Sequence, residues 1–117
     1  MLKNNFNQFH KQFSENLPRS LERTNSLLNE IGKPQNKIKN IIHIAGTNGK
    51  GSILSYINSC LTMNNLKVNA FTSPHLVRIN ERILINNKIV QDDILEKTID
   101  KLFQYSNNGN IAFFEFI

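Results

Sequence analysis

Ile41-Ile42-His43-Ile44-Ala45 runs directly into Gly46-Thr47-Asn48-Gly49-Lys50-Gly51-Ser52, and the fold turns on how these twelve residues are read. The first five have the length and β-branched content of a buried strand, which makes His43 a structural residue inside it. Gly46 ends the run. From Ser52 to about Asn64, Ile53, Leu54, Ile57 and Leu61 recur at three- and four-residue steps, so a helix follows the glycine-rich turn. A strand, loop and helix in that order suit a phosphate. Glycines let successive backbone N–H groups converge, the helix N-terminus adds partial positive charge, Lys50 reaches β/γ-phosphate oxygens, and the Ser52 hydroxyl meets phosphate or Mg²⁺. The common pattern G-x-x-x-x-G-K followed by Ser or Thr would require glycine where Ile44 stands and a hydroxyl where Gly51 stands, so this is a variant loop.

Working outward, Leu66 to Thr72 reads as a second strand. With the helix before it this gives a βαβ crossover and a parallel pair, hence the α/β class: a parallel sheet with flanking helices. Upstream, Leu21, Thr24, Leu27, Leu28 and Ile31 are spaced for an amphipathic helix over Ser20 to Ile31, with Pro18 before it and Gly32 as its stop. Downstream, Ile83-Leu84-Ile85 and Lys88-Ile89-Val90 flank Asn86-Asn87, a pair that tolerates positive φ and predicts a hairpin. Asp92 or Asp93 caps a last helix carrying Ile94, Ile99, Leu102 and Phe103, which ends before Ser106-Asn107-Asn108-Gly109. The final run, Ile111 to Ile117, holds Phe113, Phe114 and Phe116 with no following element to cover it, and the aromatics read first as core. The chain reads as cut, with an unfinished sheet, and marginal stability is the expectation.

Composition narrows the class. The chain has 117 residues, of which 39% are hydrophobic and 20% charged, too apolar for a disordered tail and too short for two domains. Lys plus Arg number 14 against 9 Asp plus Glu, so 14 − 9 = +5. The basic residues are scattered, with only a loose Lys33, Lys37, Lys39 cluster and no aromatic-interleaved stripe, which argues against nucleic acid and suits a small phosphate- or carboxylate-rich ligand. No window approaches a membrane span, and Met1 to Phe13 lacks the apolar core of a signal peptide. The single Cys60, on a helical stretch with no His or Lys beside it in sequence, reads as a buried thiol in a reducing compartment. A cytoplasmic protein is expected.

Three segments carry a resemblance. Ala45 to Ser52, then Thr72-Ser73-Pro74-His75-Leu76-Val77-Arg78 and Asn80-Glu81-Arg82-Ile83, resemble the phosphate loop and the following loop of folylpolyglutamate synthase and dihydrofolate synthase, members of the Mur ligase superfamily. Leu21-Glu22-Arg23 and Phe113-Phe114-Glu115 also fit. The resemblance implies an incomplete P-loop ATPase domain of the Mur ligase type. Residues 1–19 are then a polar N-terminal segment and residues 20–117 the N-terminal part of the ATP-binding domain, with the C-terminal glutamate-binding domain absent. It also implies the activity: a folate or dihydropteroate carboxylate, activated by ATP as an acyl phosphate, is attacked by the amine of L-glutamate to give an amide, ADP and phosphate. By motif match Gly46, Thr47, Asn48, Gly49, Lys50, Gly51 and Ser52 bind ATP, Ser73 is a Mg²⁺ ligand, and Ala112, Phe113, Phe114 and Glu115 lie at the pterin side, although the family often has a hydroxyl at Ala112.

Other residues read as scaffold. His75 is a loop histidine expected to bond backbone, Glu81 and Arg82 a local pair that shapes the loop. None of the three histidines, His10 in the tail included, is an acid or base for the reaction, and no catalytic residue is assigned. The family's further metal ligands would lie beyond Ile117, so catalysis by this chain alone is not expected, and a second polypeptide carrying the C-terminal part is an implied partner. An inactive nucleotide-binding remnant and an unrelated P-loop binding module are the alternatives.

Overall fold

The computed structural model describes residues 13, 17–18, 20–106 and 111–117. Their elements are α1 (Leu21–Glu30), a 3₁₀ turn at Pro34–Lys37, α2 (Lys50–Met63), β1 (Ala70–Phe71), a 3₁₀ turn at Ile79–Arg82, β2 (Ile83–Ile85), β3 (Lys88–Ile89), α3 (Asp92–Phe103) and the short α4 (Phe113–Phe116). They belong to two compact units, one drawn from Met1–Asn40 and Glu96–Ile117, the other Ile41–Leu95.

In the first unit, α1 starts where Ser20 accepts the Arg23 amide on its hydroxyl at 3.4 Å, satisfying one of the amides a helix start leaves open. It stops at Gly32, whose φ of +85° lets the Lys33 amide turn back to the Leu28 carbonyl at 2.7 Å. Leu27, Ile99 and Ile111 are buried here with a knot of aromatic rings. Phe13 lies at its centre, 5.0 Å from Phe116, 5.7 Å from Phe113 and 5.9 Å from Phe103 between ring centroids. The aromatic end expected to lie uncovered is therefore covered in part: one turn of helix swings Phe113 and Phe116 onto Phe13, and Phe116 is buried. The edge-to-face geometry of these rings adds to the area they bury.

The second unit holds the sheet, ordered β1-β2-β3 and antiparallel throughout. The hairpin forms as the sequence predicts: Leu84 faces Ile89, Ile85 faces Lys88, and Asn86 and Asn87 take φ of +50° and +67° in the two-residue turn. Two positive φ values match the right-handed strand twist, which asparagine accepts at lower cost than most residues. Ile79, Val90 and Leu95 are buried beside it.

The expected parallel pair is absent among the described residues. Leu66 to Thr72 yields only the two residues of β1, paired antiparallel with β2, and Ile41 to Ala45 makes no strand. The side chain of Asn87 explains the first outcome, since it accepts the Val68 amide at 2.9 Å and donates to the Leu66 carbonyl at 3.2 Å, pinning this stretch to the hairpin. For Ile41 to Ala45 the reason is the lack of a ladder partner, without which a strand is only an extended chain. His43 is consequently exposed, not buried in a strand, and Cys60 is exposed on α2, not a buried thiol. No helix among the described residues is long and apolar enough to cross a membrane.

Candidate phosphate loop and its neighbours

Gly46 to Ser52 forms a turn that delivers the chain into α2. Gly46 and Gly49 take φ of +148° and +78°, values that disfavour a side chain, and Gly49 is the cap from which α2 starts. Among the described residues the amides of Lys50, Gly51 and Ser52 find no backbone acceptor, and the first turn closes with the Ile53 amide on the Gly49 carbonyl at 3.0 Å. Space lies over them, because a Cβ on Gly49 or Gly51 would meet nothing within 4 Å. Lys50 folds back across the loop, its Nζ 2.6 Å from the Gly46 carbonyl and 3.1 Å from that of Thr47. Open amides, a helix N-terminus, unobstructed space and an ammonium gather donors and positive charge at one turn, the chemistry a phosphate requires. Thr47 and Asn48 complete the turn, and all seven residues are exposed.

The following loop is organised from within. The Ser73-Pro74 peptide is cis. The Glu81 carboxylate collects three backbone amides, those of Leu76 at 2.7 Å, Val77 at 3.0 Å and Arg78 at 2.7 Å. The Leu76 and Arg78 bonds are the main reason its pKa is held below the ordinary 4.5, against a smaller opposing effect of desolvation. Arg82 donates through Nε to His75 Nδ1 at 2.8 Å and through Nη1 to Ser73 Oγ at 3.2 Å. His75 thus bonds a side chain where a backbone partner was expected, and Glu81 and Arg82 shape the loop through separate sets of bonds. Asn80 is buried, donating through Nδ2 to the Val90 carbonyl at 2.9 Å and to Asp92 at 3.0 Å, while Arg78 pairs with the same carboxylate. Glu81→Gln should therefore leave the sheet intact but speed amide exchange at Leu76, Val77 and Arg78. In the unsubstituted chain the same protection should hold near neutrality and fade, after correction for intrinsic rates, as pH falls through the lowered carboxyl pKa. Exchange mass spectrometry or NMR checks both.

Ser73 offers one hydroxyl oxygen, already accepting from a guanidinium. Among the described residues no group of three or more His, Cys, Asp or Glu side chains gathers to hold a metal. A free divalent cation, which needs six or more oxygens, does not fit Ser73 alone.

The third predicted group, Ala112 to Glu115, splits by role. Phe114 is half exposed, whereas Phe113 packs against Phe13. Glu115 is a structural clasp: its carboxylate accepts the Ser20 amide at 2.5 Å, Arg23 Nε at 3.2 Å and Nη2 at 3.0 Å, and the Ala112 amide at 3.4 Å. Burial pushes its pKa up most strongly of any single influence, yet the Ser20 amide, Arg23 and the Ala112 amide together outweigh it and the net shift is downward. Arg23 also donates to the Pro18 carbonyl. Both ends of this clasp, Leu21-Glu22-Arg23 and Phe113-Phe114-Glu115, were visible as motifs; that they bond each other across 92 residues was not.

No protein-family model matches the chain. Curated relatives do. The dihydrofolate synthetase of Saccharomyces cerevisiae is 47% identical over 68 residues, covering 58% of this chain and 16% of its own. The folylpolyglutamate synthase of Lacticaseibacillus casei is 36% identical over 99 residues, covering 79% of this chain and 23% of its own. Among solved structures, Escherichia coli FolC in complex with DHPP and ADP superposes with a TM-score of 0.83 at 25% identity, over 98% of this chain and 28% of that one. The chain spans less than a quarter of the length of the two curated relatives. Its α/β character agrees with theirs, and on these identities the chain is similar to one part of the folylpolyglutamate synthase and dihydrofolate synthase family.

Proposed function

We propose that this chain is the nucleotide-phosphate-binding part of a ligase that joins L-glutamate to a folate or dihydropteroate carboxylate through an acyl phosphate. The observation that carries the reading is the Gly46–Ser52 loop, whose three open amides and Lys50 ammonium stand at the start of α2. Kinship with synthases, one of them solved with ADP, supports ATP as the nucleotide. In this reading the loop amides and Lys50 hold the phosphates, and Mg²⁺ arrives with them. The metal supplies charge neutralisation of the transferring phosphoryl group, with most of its oxygens from phosphate and water and one from Ser73. Phe114 offers its exposed ring to the pterin end, while Phe113, Ala112 and Glu115 hold it in place. The parallel sheet of a complete Mur-ligase-type domain, a cytoplasmic setting and a second polypeptide completing the site belong to the same proposal.

Calorimetric titration of the purified chain with Mg-ATP tests it. Saturable binding at one site, with no glutamate-dependent ADP release from the isolated chain, is the expected result. Absence of any binding to the folded chain would remove the phosphate-site reading.

A further inference from the structure

Among the described residues, Asn48 is the only asparagine that is followed by glycine. It stands in the bend that leads into α2, outside any helix or strand, and it is exposed. Asparagines elsewhere are engaged: Asn80 is buried and donates to the Val90 carbonyl, and Asn87 uses both its oxygen and its nitrogen, on the Val68 amide and the Leu66 carbonyl. The Asn48 side chain makes no hydrogen bond among the described residues, and neither does the Gly49 amide. Those are the two groups that must meet when an asparagine side chain closes a ring with the next residue's nitrogen. Glycine places no side chain against that approach, and the space beside it is open, since a Cβ on Gly49 would meet nothing within 4 Å. The local charge points the same way. Lys50 holds its ammonium 3.1 Å from the Thr47 carbonyl, and the start of α2 adds partial positive charge, so an anion forming on the Gly49 nitrogen or on the Asn48 side-chain oxygen is favoured.

We propose that Asn48-Gly49 is a covalent modification site, at which Asn48 deamidates without an enzyme and so switches off the phosphate loop; the loss of phosphate affinity rests on the phosphate-site reading given above. The Gly49 nitrogen, having lost its proton to solvent, bonds to Asn48 Cγ. The bond from Cγ to Nδ2 breaks, and Nδ2 leaves with a solvent proton as ammonia, giving a cyclic imide. Water adds to one imide carbonyl and the ring opens to aspartate, or to isoaspartate where the main chain now runs through Cγ. Nothing is oxidised or reduced: an amide and water become a carboxylate and ammonium. Either product sets a negative charge next to Lys50 and against the phosphates, and isoaspartate also lengthens the main chain by a methylene just ahead of the open amides. A nucleotide seated on the loop covers the reacting groups, so a loop in use keeps its amide and an idle one loses it.

The test incubates the full chain at mildly alkaline pH, native and in urea, with and without Mg-ATP. Peptide mapping follows Asn48, and fragmentation mass spectrometry separates isoaspartate from aspartate. Conversion in the native chain is expected within about tenfold of the rate in urea, because no interaction of Asn48 has to break first. Mg-ATP should slow it without slowing Asn108-Gly109, the same dipeptide outside the described residues. Asn48→Gln should keep its amide, since the longer side chain closes a ring poorly. Asn48→Asp should weaken Mg-ATP binding about fivefold with circular dichroism unaltered. A native chain that keeps the Asn48 amide while the chain in urea loses it would overturn the proposal, as would a converted chain that binds Mg-ATP as tightly as the fresh one. Conversion is read by mass, without nucleotide. If Asn48 converts while the fresh chain binds no Mg-ATP, the phosphate-site reading falls and the modification site stands.

Discussion

Lys50→Ala is expected to reduce Mg-ATP affinity by roughly ten- to hundredfold or to abolish measurable binding, the largest effect of any single substitution in the loop. Hydrogen bonds to charged groups contribute about 1.5–3 kcal/mol each, and every 1.4 kcal/mol is a factor of ten in affinity. In the nucleotide-free chain Nζ spends its bonds on the Gly46 and Thr47 carbonyls at 2.6 and 3.1 Å. In the proposed site those carbonyls belong to the loop that faces the phosphates, so the lysine both braces that loop and is the cation that turns to the ligand. Alanine removes both functions and leaves the helix, because Lys50 is exposed and Ile53 still closes the first turn on Gly49. Lys50→Arg should recover only part of the affinity, since a planar fork does not replace a compact ammonium. Calorimetry with circular dichroism as the folding control checks all three proteins. Unchanged affinity in Lys50→Ala would place the phosphate site elsewhere.

Glu115→Gln is expected to destabilise the first unit by about 2–4 kcal/mol, read from chemical denaturation. The carboxylate is enclosed, with its side chain 8% exposed, and it is paired with Arg23, so removing its charge strands a guanidinium and weakens two amide bonds at once. The pH dependence is equally specific. Because the folded carboxyl titrates below its ordinary 4.5, the unfolded chain binds the proton first as acid is added. The contribution is therefore complete above the unfolded pKa and is lost as pH falls through the lower folded value. Unfolding free energy should slope downward on the acid side of about pH 4.5 in the unsubstituted chain, and that slope should be shallower in Glu115→Gln. Equal acid slopes in the two proteins would mean that Glu115 does not carry the clasp.

Much of this molecule was legible where the cause is local. Pro18 and the apolar spacing announce α1, Gly32 ends it, Asn86-Asn87 makes its turn, and the apolar steps of α2 and α3 give their helices, because stop signals, turn conformations and helical periodicity act within a few residues. The glycine-lysine loop was legible for the same reason. What escaped depends on partners distant in sequence. Nothing near Leu66 to Thr72 says that Asn87 will hold it, nothing in a polar, asparagine-rich opening says that Phe13 will sit among Phe103, Phe113 and Phe116, and Arg23 gives no sign of Glu115. The strand expected at Ile41 to Ala45 fails for a related reason, since its composition states what it needs on either side without stating what will be there.

The Glu115 clasp also sets an order of events. Joining Arg23 to Glu115 closes a loop of 92 residues, for which chain entropy alone costs about 4 kcal/mol. On a ribosome the hairpin and α2 are made of neighbours and can form as they emerge, whereas Arg23 waits for Glu115, 92 residues further along, before the clasp can close. A stall anywhere before Glu115 leaves α1 without this fastening.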